Sequence, residues 1–229
     1  NGGAGGAVTL TGGTKVVLGG NIDTSAGANG TPGTGGTVTV ASALELNGNR
    51  TITTGVTAGN IVFNGTVDGD AGQAFNRTLG LTSGTGNIDF NGLVGNTVQL
   101  GTVTINQAAT VDVDANFKAA GLSANNGGGA ANITTFDSSG FTITTTRGTG
   151  AVGGDVLIKT SGALTLGDVV ATGGTASAAG QNAGVVDVNA GTTLTTANIT
   201  AKGSDGATGT DNGGAGGAVT LTGGTKVVL

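Results

Sequence analysis

Paired aspartates are the residues of this sequence whose type and spacing could do chemistry. The pairs are Asp68 with Asp70, Asp112 with Asp114, and Asp205 with Asp211. Grouped carboxylates on one face are what glycoside-cleaving enzymes use as acid, base or nucleophile. Basic and aromatic residues do not gather near Asp112 and Asp114 in the sequence, and all six aromatic residues of the chain are Phe. Because a catalytic site needs convergent polar groups in a pocket, the pattern favours solvated acids and predicts no enzyme.

The same acids could bind calcium, which prefers hard oxygen ligands. The candidates are the step from Asp68 to Asp70 and the loop from Gly203 to Gly217, where carboxylates and glycines coincide. Calcium-binding nonapeptide repeats need GGxGxD in register, and only fragments of that pattern occur here. Turn residues are the simpler interpretation. The sequence therefore predicts no catalytic, cofactor or metal site, with calcium kept as an alternative.

Other functions are excluded by composition. The 229 residues contain no Cys, Met, Trp, Tyr or His, which rules out histidine bases, thiol nucleophiles, disulfides and zinc sites of the Cys or His type. The formal charge is −5, from 13 acids and 8 bases without a basic run, and this argues against a nucleic acid partner. No apolar run approaches the ~20 residues of a membrane span. The absence of Met and of an export signal leads us to expect a segment of a longer protein.

Pairs of threonines two residues apart suggest an ice-binding face, where a flat threonine ladder would meet a crystal lattice. The pairs are Thr9 with Thr11, Thr37 with Thr39, Thr102 with Thr104, and Thr142 with Thr144. Such a face needs the pair in every structural cycle, and other cycles carry Asn, Asp, Val or Leu at the equivalent positions. The preference of Thr for β-strands is a sufficient explanation.

Short β-strands are the elements predicted to carry these residues. Apolar residues alternate with polar ones in runs such as Val38–Val40, Val111–Val113 and Val186–Val188, and this period of two is typical of strands. Over any window of helical length, apolar residues do not recur at i, i+3 and i+4 without a glycine or a β-branched residue interrupting the pattern, and glycine is unfavourable inside helices. The sequence predicts an all-β fold with essentially no helix.

A long repeat organises the chain. Residues 1–18 recur without change as residues 212–229, which is a period of 211 residues. We expect one unit at residues 1–211 and the start of the next identical unit at residues 212–229, in a continuous stack without a linker. The neighbouring identical units would then be head-to-tail partners.

Shorter cycles of 22 to 33 residues lie within the unit, and eight of them fill the 211 residues. Their leading apolar residues are Val8, Val38, Ile61, Ile88, Val111, Ile133, Val156, Val186 and Val219. Cycles that bury an apolar face only by stacking on one another are typical of solenoids. The sequence therefore predicts a parallel β-helix with about eight coils per unit. A β-sandwich with tight hairpins is the competing all-β fold, and the in-phase cycles favour the β-helix.

Glycine-rich segments are predicted to form the bends and loops of this stack. The predicted bends are Asn29-Gly30, Asn47-Gly48, Asn64-Gly65, Asn91-Gly92 and Asn126-Gly127. Extra residues of the longer cycles follow the third strand, at 25–36, 173–184 and 203–217, and we expect these loops to stack along one corner. Residues 119–131 are predicted to be another loop. Composition leaves open whether the loops are flexible tips or an ordered ridge.

Two stretches resemble a known family. Residues 153–174, GGDVLIKTSGALTLGDVVATGG, and residues 36–54, GTVTVASALELNGNRTITT, are similar to the repeat regions of filamentous-haemagglutinin-like exoproteins and giant β-strand-repeat surface proteins of Gram-negative bacteria. The resemblance implies a right-handed parallel β-helix, export through the outer membrane, and a rod that projects from the cell to adhere or to build extracellular matrix.

The expected function is therefore a structural or adhesive segment of an extracellular fibre at the bacterial surface, acting as a stiff rod or matrix-forming filament. The alternative is a module in which the stacked glycine-rich loops bind a receptor, a cell-surface glycan or another fibre. A carbohydrate-active β-helix is a third hypothesis, and the scarcity of aromatic residues counts against it.

Overall fold

Parallel strand pairing organises the whole structure. A computed structural model describes residues 2–124 and 132–229 of the protein. Within these ranges the chain is all-β and has no helix, which confirms the predicted class. No helix suited to crossing a membrane is found among the described residues.

The strands form three parallel ladders, which we name A, B and C. Ladder A consists of β1 (Val8–Leu10), β4 (Val38–Val40), β7 (Ile61–Phe63), β10 (Ile88–Phe90), the second half of β11 (Leu100–Val113), β13 (Ile133–Ser138), β16 (Leu164–Leu166), β19 (Thr193–Thr196) and β22 (Lys226–Val228). Ladder B consists of β2 (Lys15–Leu18), β5 (Ala43–Leu46), β8 (Val67–Gly69), a bridge at Val94, the start of β12 (Phe117–Ala124), β14 (Ile143–Thr144), β17 (Val169–Val170) and β20 (Ile199–Thr200). Ladder C consists of β3 (Ile22–Asp23), β6 (Arg50–Thr53), β9 (Leu79–Thr82), the first half of β11, the end of β12, β15 (Val156–Thr160), β18 (Val186–Ala190) and β21 (Val219–Gly223). The chain visits A, B and C in turn, and we call one such passage a round.

The core lies between the ladders and is built from alternate residues of the strands. In β4, Val38 and Val40 are buried and Thr39 between them is partly exposed, as the period of two requires. Phe63 stacks on Phe90 with ring centroids 5.0 Å apart, and Phe90 meets Phe117 edge-on at 5.6 Å. The predicted alternation of inward apolar and outward polar residues is confirmed in these strands.

The predicted phase of the cycles is wrong in the second half of the unit. Val8 and Val219 are the same position of the repeated sequence, but Val8 lies in ladder A and Val219 lies in ladder C. Val156 is also in ladder C, and Phe136 rather than Ile133 pairs with Val111. The interval of 211 residues is thus one ladder short of eight full rounds. The strands of all ladders share one alternating pattern, so the pattern does not reveal which ladder a strand occupies.

The loops move to another corner for the same reason. Residues 25–36 connect ladder C to ladder A, whereas residues 173–184 and 203–217 connect ladder B to ladder C. Only the latter two stack on each other, so the expectation of a single corner is wrong. Within the predicted loop at 119–131, residues 119–124 belong to β12, and the rest lie outside the described residues.

The predicted Asn-Gly bends serve two different purposes. Gly30 and Gly48 have positive φ angles of 70° and 113°, which glycine adopts readily. Gly65 and Gly92 instead allow close backbone packing, because a Cβ atom on Gly92 would lie 2.3 Å from the carbonyl oxygen of Gly65. The bend at Asn126-Gly127 lies outside the described residues.

Candidate functional site

An acidic column lies on the outer face of ladder A, around the predicted pair Asp112 and Asp114. Strand register places Asp112 between Asp89 and Asp137 on successive rounds, and paired parallel strands are about 4.8 Å apart. Asp114 follows the end of β11 and interacts with both Asp89 and Asp112. The sequence predicts only the pairing of Asp112 with Asp114. Sequence reasoning does not reveal Asp137, because it matches Ile133 with Val111, whereas Phe136 is the register partner of Val111 and Asp137 that of Asp112.

Burial and repulsion both act on this column. The pKa of Asp89 is raised from its usual 3.8 by partial burial, then by the charges of Asp112 and Asp114. The pKa of Asp112 is also raised by burial, then by Asp114 and Asp137. Desolvation and like charges disfavour the ionised form of a carboxyl group. The ionised forms of Asp89 and Asp112 therefore oppose folding at neutral pH.

Asp68 and Asp70 have separate local roles. Asp68 lies in ladder B beside Glu45, and its Oδ1 accepts hydrogen bonds from the backbone nitrogens of Thr97 at 2.8 Å and Val98 at 3.2 Å. Asp70 is held by two hydrogen bonds from the guanidinium of Arg77, one of them from Nη2 at 2.9 Å. Arg77 lowers the pKa of the Asp70 carboxyl. Both acids stabilise their own segments, and the structure does not present them as a catalytic pair.

Asp205 and Asp211 also act locally in their loop. Asp211 Oδ2 accepts hydrogen bonds from the backbone nitrogen of Thr208 at 3.0 Å and from its hydroxyl at 2.8 Å. Asp205 is 91% exposed in its side chain and lies 3.9 Å from Lys202 Nζ. Over the described residues, no group of three or more acidic, His or Cys side chains is arranged to hold a metal ion.

The threonine pairs fall on different ladders. Thr9 and Thr39 are register partners in ladder A, but the residues at the same position on the next two rounds are Val62 and Asp89. The pairs at Thr102 and at Thr142 lie in or beside ladders C and B, respectively. A continuous flat threonine face is therefore not formed by these pairs.

The glycine-rich loops at 173–184 and 203–217 form an ordered layer. Backbone hydrogen bonds join them, from Gly173 N to Lys202 O at 3.0 Å and from Ala183 N to Ala215 O at 3.0 Å. Each loop closes on the ladder strand before it, as where Gly184 N donates to Ala171 O at 2.8 Å. The question left open by composition is thus answered in favour of an ordered ridge for these two loops.

A column of glycines makes this layer possible. Gly154, Gly184 and Gly217 precede successive strands of ladder C, and a Cβ on each would collide with the round before it. The Cβ on Gly184 would lie 2.0 Å from Gly154 O, and that on Gly217 would lie 1.9 Å from Gly184 O. Real Cβ contacts of that length do not occur, so the close approach requires glycine.

Hydroxyl groups close several of the other loops. The buried Thr24 hydroxyl donates to Gly36 O at 2.6 Å, and the Thr145 hydroxyl donates to Gly154 O at 2.6 Å. Thr54 makes the same bond to Gly59 O at 2.7 Å. A buried hydroxyl is costly without a partner, and here it fixes the point where the loop returns to the strand.

A groove of about 520 Å³ lies between the two stacked loops. It is lined by Thr146 and by residues of both loops, including Thr175, Ala176, Ser204 and Asp205. Ser204 Oγ accepts a hydrogen bond from Gln181 N at 2.7 Å, which joins the loops beside the groove. Hydroxyl groups, backbone amides and one exposed carboxylate could bind a polar ligand such as a sugar.

A second groove, of about 310 Å³, lies on the outer face of ladder C. Its lining includes Gly121, Thr102, Arg147 and Asp155. The Nε atom of Arg147 is buried without a hydrogen-bond partner. Asp155 Oδ1 accepts a hydrogen bond from Val185 N at 2.8 Å, so it serves the backbone of the next round.

Comparisons of the chain with protein-family models, with curated proteins and with solved structures found no match.

Proposed function

We propose that the chain is a right-handed parallel β-helix that serves as a structural or adhesive segment of an extracellular bacterial surface fibre. The observation that carries the proposal is the unbroken register of ladder A from Val8 to Val227, round upon round. Parallel strands joined by crossovers in one sheet are right-handed in about 98% of cases, which supports the handedness. The resemblance to haemagglutinin-like exoproteins supports the location outside the cell.

A mechanical role fits the distribution of contacts. Backbone hydrogen bonds join each round to the next, and the loops at 173–184 and 203–217 lie flat against their neighbours. The acids considered for catalysis are partly engaged in local bonds, such as that between Asp70 and Arg77. We therefore propose a non-enzymatic segment whose partners are identical units placed head to tail.

Electron microscopy of recombinant polypeptides with one, two and three units tests the rod. A unit is one ladder short of eight rounds, and at about 4.8 Å per round it adds roughly 37 Å of length. A length that rises by this amount with each unit supports a single stack. Compact particles whose length does not grow in proportion would contradict it.

Deletion of one whole round tests the modular stack within this chain. Val156 and Val186 occupy the same position in successive rounds of ladder C, so removal of residues 156–185 leaves the register intact. We expect this variant to remain folded, with only a small loss of stability. Removal of residues 156–167 alone takes out β15 and β16 but leaves β17, so the strands on either side of the deletion no longer follow the order of the ladders. This variant should lose cooperative unfolding, as measured by circular dichroism. Equal effects of the two deletions would contradict the proposal.

The groove between the stacked loops favours a second candidate function, a glycan- or receptor-binding module. Its test is a glycan array probed with the whole chain and with the double variant Thr175→Ala and Asp205→Ala. Thr31→Ala, in the exposed loop at 25–36, is the matched control. Binding that is lost only in the double variant would favour the module over a passive spacer. A fibre that keeps adhesion when its number of units changes would favour the spacer.

A further inference from the structure

The two copies of the 18-residue repeat occupy different ladders. In the first copy, Val8 lies in ladder A and Val16 in ladder B. In the second copy, the same positions are Val219 in ladder C and Val227 in ladder A. The second copy, 211 residues along the chain, therefore lies one ladder earlier in the order A, B, C than the first copy.

The outward column of ladder A gives an independent trace of this displacement. It begins at Thr9, and register leads from each residue to its partner on the next round. The column is Thr9, Thr39, Val62, Asp89, Asp112, Asp137, Thr165, Thr195 and Val228. It ends at Val228 and not at Thr220, which is the copy of Thr9.

The displacement arises where β11 and β12 turn corners without loops. Before them, the loops at 25–36 and around Gly59 lie between ladders C and A. Strand β11 runs from ladder C into ladder A, and β12 runs from ladder B into ladder C. After them, the loops lie between ladders B and C, as at 173–184.

The glycines follow the same displacement. Gly36, which precedes ladder A, would place a Cβ 2.1 Å from Gly6 O. Gly217 is the copy of Gly6, and it belongs to the glycine column that precedes ladder C. The same glycine of the repeat therefore packs closely before ladder A in the first copy and before ladder C in the second.

We propose that each 211-residue unit in a tandem array is turned by one ladder, a third of a round, relative to the unit before it. A unit spans 23 ladder steps, so three units span 23 full rounds and return every residue to its starting ladder. At about 4.8 Å per round the complete repeat is roughly 110 Å. The acidic column and the ordered loop layer then face three sides of the fibre in turn. This inference rests on the proposed β-helix.

Cysteine cross-linking in this cysteine-free chain tests the displacement. Cα atoms of paired parallel strands, about 4.8 Å apart, lie within the range of a disulfide. Asp137→Cys with Thr165→Cys should oxidise rapidly, because these residues are register partners in ladder A. Thr134→Cys with Leu157→Cys should remain reduced, although an undisplaced frame that matches Ile133 with Val156 would pair them. The opposite result, or failure of the first pair alone, would overturn the proposal.

Thr9→Cys with Thr39→Cys separates this proposal from the β-helix itself. These residues pair before the displacement, so they should cross-link in any stacked frame. If this pair fails, the proposed β-helix is wrong. If it forms while the pair at 137 and 165 does not, only the displacement is wrong.

A three-unit polypeptide tests the display on three sides. Ser177→Cys in each unit places one gold label at an exposed loop tip. Electron microscopy should show labels that advance by a third of a turn at each unit, with about 37 Å of rise between them. Three labels on one line along a rod of the expected length would overturn the displacement while leaving the rod intact.

Discussion

Single inward side chains carry the stability of this fold, because every round contributes only a few apolar residues to the core. Val156 is fully buried in ladder C, with Leu122 before it and Val186 after it. Val156→Asp would bury an unpaired carboxylate, and we expect a loss of several kcal/mol in the free energy of unfolding. Thr9→Asp, at an exposed position of β1, should change it little. Chemical denaturation of both variants checks this, and equal midpoints would disprove the assignment of inner and outer faces.

The acidic column predicts an unusual response to pH. Since the folded-state pKa values of Asp89 and Asp112 are raised above 3.8, the native state binds more protons than the unfolded state just above that pH. Their contribution to stability is therefore most favourable at and below pH 3.8 and is lost as the pH rises through the raised values. Asp70, whose pKa is lowered, contributes in the opposite direction and loses its contribution as the pH falls below its usual value.

Asp112→Asn isolates the effect of the column. We expect this variant to have a higher melting temperature than the parent chain at pH 7, because it removes a partly buried charge and its repulsion with Asp114 and Asp137. The difference in melting temperature between the two chains should shrink toward pH 4, because protonation of Asp112 in the parent chain reduces the same repulsion. Asp187→Asn, at an exposed position of ladder C, is the control. An unchanged or lower melting temperature for Asp112→Asn at pH 7 would contradict the repulsion.

Among the elements, the glycine-rich loops test whether backbone packing requires glycine. A Cβ on Gly184 would lie 2.0 Å from Gly154 O, whereas a Cβ on Gly209 meets nothing within 4 Å. Gly184→Ala should therefore destabilise the chain by about 1–3 kcal/mol, the usual cost of overpacking. Gly209→Ala should be tolerated. Thermal unfolding of the two variants measures this, and a neutral Gly184→Ala would show that the loops do not pack as described.

The alternating strands could be predicted from the sequence because their period of two is local. Val38–Val40 and Val186–Val188 both show which residues point inward. Their ladder could not be predicted, since it depends on how many corners the chain has turned. The continuous strand Leu100–Val113 passes a corner without glycine at the bend, so no local residue marks the change of frame.

The contacts of the acidic residues likewise divide into local ones, which the sequence can predict, and contacts between rounds, which it cannot. The local partner of Asp70, seven residues away at Arg77, is within reach of sequence reasoning. The stacking of Asp112 on Asp137 depends on register across a round, and an error in phase removes it. Similarly, glycine content predicted bends, but the hydrogen bonds that order the loop at 173–184 come from residues about 30 positions along the chain, as between Gly173 and Lys202.

At the scale of the whole molecule, the two ends of the stack are matched surfaces. One end presents β1, β2 and β3 in ladders A, B and C, and the other presents β22, β20 and β21 in the same three ladders. Each of these strands is paired on one side in the described structure. Open edges above an apolar core favour association with another chain.

We therefore expect the isolated chain to associate end to end, with β1, β2 and β3 of one copy on β20, β21 and β22 of another. Leu221, an inward residue of β21, is partly buried against the core at the open end. Leu221→Lys should suppress the association, because it brings a charge to the contact between copies. Thr220→Lys, which points outward from the same strand, should leave it unchanged. Light scattering across a concentration series measures the association. A parent chain that stays monomeric at all concentrations, with slow hydrogen exchange in β1 and β22, would show that the ends are stable without a neighbour.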